Sequence, residues 1–160
     1  MAQAGQKRNG VVGATGVVAL LFVLATRCVP HPIGTARTYA TYEGKAATTA
    51  KSALSHVQTV RLAAETATAG KAFGPYVTEL VSDAEEALDG LESTFGSIQP
   101  PGARADALGR ELGELLASAA ENVRDVRVAA RRGALSGLEE AAEPLGHDAD
   151  ALQRFQDAHG

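Results

Sequence analysis

Seven small residues constrain this chain more than any others. Ala46, Ala50, Ala53, Val57, Val60, Ala64 and Ala67 follow one another at alternating steps of four and three. That is the heptad spacing that keeps apolar side chains on one seam of a helix. The helical pattern holding the seam runs from about residue 35 to residue 69. Because its side chains are small, a partner helix can approach closely. Alanine is about a fifth of the 160 residues and aromatics are only 4%. Alanine is the best helix former, so a mostly helical chain follows, with a core of Ala, Leu and Val.

Three further helical patterns follow the first. Gly70 and the "FGP" at 73–75 break the seam helix. Pro75 suits a first helical position. From there the stripe Val77, Leu80, Ala84, Leu88, Leu91 and Phe95 defines a second helix, with Glu79 placed in its first turn. Gly96 and "QPPG" at 99–102 stop it. A third stripe is Leu108, Leu112, Leu115, Ala119, Val123, Val126 and Ala130. Gly109 and Gly113 leave a bare strip beside it, which predicts backbone approach by a neighbouring helix.

The last stripe is Leu138, Ala142, Leu145, Ala149, Leu152 and Phe155. "SGLE" at 136–139 fits a capping box that would start a new helix after Gly133. Val126, Ala130, Ala134 and Leu138 are also nearly in phase. One continuous helix is therefore the alternative, with its break at Pro144–Gly146 and Asp148 capping a short final helix.

The N-terminal part reads differently. Lys7 and Arg8 close a short basic tail, residues 1–10, and Val11–Ala25 carries no charge. Extended to Val29, with Arg27 snorkelling to the headgroups, the run is long enough for a transmembrane anchor over residues 11–29. Pro30, Pro32 and Gly34 then form a connector, residues 30–35, before a bundle domain at 36–160. Arg27 disfavours the alternatives. A cleaved leader needs small residues at its cut site, and a lipidated Cys28 would resemble a lipobox only with a small residue before it. The basic tail favours a cytoplasmic N-terminus and an extracytoplasmic bundle. The expected fold is all-α. An N-terminal transmembrane helix precedes an elongated antiparallel bundle of three long helices plus a C-terminal helix, connected up and down.

Charge orders these helices. Residues 36–71, 76–99, 102–134 and 135–160 carry net charges of +3, −6, +1 and −5. In an up-down bundle consecutive helices are neighbours, so opposite signs meet along the rims. Exposed pairs are worth only about 0–1 kcal/mol each, so the alternation bears on which helices pair more than on stability.

Chemistry-bearing patterns are sparse. The net charge of −4 argues against nucleic acid as a partner. Glu143 and the "HDAD" of His147, Asp148 and Asp150 bring carboxylates near an imidazole. Pro144 intervenes, however, and no second Glu-x-x-His accompanies them as di-metal bundles require. His56 lies beside the seam as a boundary residue. No G-x-S-x-G, phosphate loop, H-E-x-x-H or paired CxxC occurs. No enzyme activity, metal or cofactor is expected. One face stands out: Arg124, Arg127 and Arg131 share a helix side, with Arg132 adjoining. These four arginines either dock an acidic partner, an envelope polymer or lipid headgroups, or form an internal rim facing the acidic helices.

The expected function is a non-enzymatic interaction or scaffold module of a bacterial cell envelope. It would hold the lipid bilayer through its N-terminal helix and a protein partner through its bundle. The Ala, Gly and Arg usage is compatible with a GC-rich bacterial genome. The alternatives are a ligand-sensing extracytoplasmic domain, for which an Ala-rich seam leaves little room, and a secreted protein.

Overall fold

A computed structural model describes residues 36–160. The anchor expected over residues 11–29, the basic tail and Cys28 lie outside the described residues. Among the described residues 84% are helical and none is in a strand. The helices are α1 (Tyr39–Thr68), α2 (Gly74–Gly96), α3 (Ala103–Arg131), α4 (Leu138–Ala141) and α5 (Pro144–His159). A single 3-10 turn, Leu135–Gly137, precedes α4. No helix among them is long and apolar enough to cross a membrane.

Short loops make α1, α2 and α3 run up, down and up, and α5 returns downward. α2 packs on both α1 and α3, and α5 packs on both from the other flank. α1 and α3, which are parallel, also touch each other across the bundle. The Ala seam explains this contact, since helix separation is set by the side chains between the axes. All seven seam residues are buried, at 3% exposure or less. The two acidic segments thus occupy opposite flanks, each against the two segments of positive net charge.

Two stripes differ from expectation by one residue. Val81 rather than Leu80 is buried in α2, and Leu116 rather than Leu115 in α3. Leu91 and Leu115 pack against the core from its edge. Both choices keep the helical period, and the width of the buried face lets the neighbouring helices decide between adjacent residues. Glu79 stands beyond the first turn of α2, because the helix begins at Gly74.

Helix ends follow local rules in two places. Gly70 and Gly133 have φ of +68° and +74°, a region open to glycine at little cost. The next amide in each case bonds back across the turn, Lys71 to the Thr66 carbonyl and Ala134 to that of Ala129, at 3.0 and 3.2 Å. These are Schellman C-caps. The chain therefore breaks at Gly133, and it breaks again before Pro144, so neither a continuous helix nor one uninterrupted last helix forms.

The "SGLE" capping box does not form. Ser136 sits inside the 3-10 turn and caps nothing. Thr68, at the end of α1, replaces it: its Oγ1 accepts from the Glu139 amide at 3.1 Å and donates to the Leu135 carbonyl at 3.2 Å. A Thr68→Val variant keeps the shape and loses both bonds. Its unfolding free energy should fall by about 1 kcal/mol, the usual worth of such a cap. A urea titration will show this as a lower midpoint at unchanged slope, with faster hydrogen exchange at Glu139.

Candidate functional site

Four of the seven aromatic side chains gather at one end of the bundle. Tyr39 and Tyr42 come from the start of α1, Phe95 from the end of α2 and Phe155 from the end of α5. Tyr42 is 2% exposed, and its ring lies 5.2 Å from that of Phe95. Gly109 makes room for it. A Cβ added there would sit 2.5 Å from the Tyr42 hydroxyl, whereas one at Gly113 would meet nothing. The bare glycine strip thus seats a tyrosine side chain rather than a neighbouring backbone.

Beside Tyr42 opens a cleft of about 450 Å³. Phe95, Ile98 and Leu116 form its apolar floor, and Glu92, Asp106 and Arg110 stand at its rim. The Tyr42 hydroxyl makes no hydrogen bond among the described residues, yet no side-chain oxygen or nitrogen there is both sealed and unbonded. Tyr42 itself lines the cleft. Burial, helped by the nearby Asp106 carboxylate, pushes the phenol above its ordinary pKa, so it stays protonated. The sequence signal for this cleft was Gly109 and Gly113 beside the "QPPG" turn. The Ala seam leaves no room, but the cleft lies at the bundle end, where the side chains are larger.

The same end is closed by a polar clasp. Glu43 Oε1 accepts from the Tyr39 hydroxyl and from His159 Nδ1, each at 3.0 Å. An ionised carboxylate can only accept, which makes Nδ1 the protonated nitrogen. Arg104 covers the Tyr39 ring at 3.8 Å, a cation–π contact.

The hydrogen bond from His159 lowers the Glu43 pKa, against partial desolvation, and the Tyr39 bond adds to it. Glu85 is also lowered: burial pushes it up, but the bonds from Arg127 and Arg124 prevail. A carboxyl lowered on folding stabilises the protein above its unfolded pKa, and the effect is lost as pH falls through the folded one. Melting temperature should therefore drop between about pH 5 and pH 3. A Glu43→Gln/Glu85→Gln variant should show a shallower drop by circular dichroism.

The four arginines divide. Arg124 Nε bonds Glu85 of α2 at 3.1 Å, and Arg127 pairs with the same carboxylate. Arg131 and Arg132 are exposed at the end of α3. The 3-10 turn brings that end against the α1–α2 loop, where Thr68 bonds the Leu135 carbonyl and Leu135 packs on Gly74. Phe73 and Tyr76 stand in solvent on this side, 74% and 64% exposed, next to the exposed Lys71. Nothing in the hydrophobic patterns marked these two aromatics, although their place outside every stripe was readable.

The residues of "HDAD" separate. Asp148 turns inward, 7% exposed, and accepts from Ser118 at 2.8 Å and Asn122 at 2.7 Å, both on α3. It therefore links α5 to α3 and caps no helix. His147, Asp150 and Glu143 are exposed. Among the described residues no three His, Cys, Asp or Glu side chains converge as a metal site. His56 is half-buried at the edge of α1. No known protein family, curated protein or solved structure matches the chain.

Proposed function

We propose that this chain is a non-enzymatic interaction module of a bacterial cell envelope. In this reading the apolar N-terminal segment tethers it to the bilayer, and the bundle docks a protein partner through the end carrying Phe73 and Tyr76. The exposure of those two rings is the observation that carries the reading. A chain with seven aromatic residues places two of them in water, and exposed aromatic anchors beside basic side chains are typical of binding hot spots. Lys71, Arg131 and Arg132 offer basic side chains to a partner's carboxylates at this end, which also carries the exposed Glu139 and Glu140.

The test is a photoreactive residue at position 73, introduced into the full chain in cells. It should crosslink a partner that the same residue at the exposed position 117 does not reach. Phe73→Ser/Tyr76→Ser should weaken co-purification of that partner by about 30-fold or more, the scale of two hot-spot side chains. Unchanged association would remove this end as the docking surface. Intact mass from the membrane fraction tests the tether. Loss of the first 27 residues would replace it by secretion, and an added diacylglycerol would move the anchor to Cys28. The cleft at the opposite end favours a second reading, a ligand-sensing domain that acts with a partner protein.

A further inference from the structure

We infer that the cleft beside Tyr42 binds a small amine carrying an apolar or aromatic body. The inference names a ligand class for the second reading and stands whether or not the Phe73 end docks a partner. Its volume, about 450 Å³, falls within the range of small-molecule sites, roughly 300–1,000 Å³. Phe95, Ile98 and Leu116 line its floor, none of them more than 8% exposed, and a few polar groups stand beside them.

The charges select the sign of the ligand. Glu92 and Asp106 outnumber Arg110 at the rim, so a cation is attracted and an anion meets two carboxylates. The Tyr42 hydroxyl adds a directed contact. It is held by the packing of its ring on Phe95 and by the gap at Gly109, and it makes no hydrogen bond among the described residues. Its oxygen lone pairs accept from an ammonium group, and ring faces favour a cation as well. An aromatic amine satisfies floor, rim and hydroxyl together.

Tryptamine is a suitable probe for the full chain. The protein has no Trp, so indole emission reports the probe alone. Tryptamine should bind saturably, at least about tenfold more tightly than indole-3-propionate, which has the same ring and the opposite charge. Glu92 and Asp106 are exposed on one helix face each, so Glu92→Gln/Asp106→Asn should keep the fold. That variant should lose about tenfold in tryptamine affinity, the worth of a charge-assisted contact. Tyr42→Phe should lose a smaller factor with its circular dichroism unchanged. Glu139→Gln/Glu140→Gln, which makes the same charge change away from the cleft, should leave binding unaltered. Tyr42 ring resonances should shift during a titration of the native chain. Equal affinity for the two indoles, an unaffected double variant, unmoved Tyr42 resonances, or no saturation at about 10 mM would each overturn the inference.

Discussion

An Ala50→Leu substitution is expected to lower the unfolding free energy by about 3 kcal/mol, at the upper end of what overpacking costs. Ala50 has no exposed surface and lies mid-seam in α1. That helix contacts α2, α3 and α5 at once, so no single neighbour can move aside to admit a larger side chain. A leucine would push apart the α1–α3 contact that the small residues permit. The same exchange at Ala117, exposed on α3, should change stability by less than about 0.5 kcal/mol. Urea midpoints of the two variants, compared at equal slope, decide the matter. Equal midpoints would show that the seam is not closely packed.

Asp148→Ala is expected to cost about 2 kcal/mol, because two hydrogen bonds to a buried carboxylate disappear. Ser118 and Asn122 stand one turn apart on α3 and together grip both carboxylate oxygens. Replacing the whole group tests whether the penalty belongs to the polar link itself. Asp148→Leu combined with Ser118→Ala and Asn122→Leu should recover most of the loss, since apolar replacement of a complete buried polar group is often neutral. Denaturant unfolding of the single and triple variants measures both. A triple variant as unstable as Asp148→Ala would mean that the polar link is needed for the α3–α5 register itself.

Much of the architecture was legible because helix periodicity is a local property. The heptad seam of α1 is buried along its whole length, and the stripe from Leu138 to Phe155 lies inside as its spacing required. Gly70 and Gly133 ended helices as expected, since only a residue without a Cβ takes positive φ cheaply. The alternating charge of the segments also had a spatial counterpart in the pairing of Arg124 and Arg127 with Glu85. Of the candidate cleft only the Gly109–Gly113 strip was visible in the sequence, and its spacing pointed to backbone approach rather than to a cleft. The cleft needs Tyr42, Phe95 and Gly109, residues far apart in sequence whose meeting depends on how three helix ends converge.

What the sequence by itself determined is therefore the set of helices, their apolar faces and three of their stops, at Gly70, Gly96 and Gly133, all properties of neighbours within a few residues. The tertiary structure decided which of two adjacent residues faces inward, as with Val81 over Leu80 and Leu116 over Leu115. It chose Thr68, rather than the nearby Ser136, to hold the Glu139 amide. It turned Asp148 from an expected cap into an interhelical link, and it filled the Gly109 gap with a tyrosine. The physical reason is common to all of these. A hydrogen bond or a packed ring goes to whichever partner the assembled bundle brings within about 3–4 Å, and that proximity has no signature in local spacing.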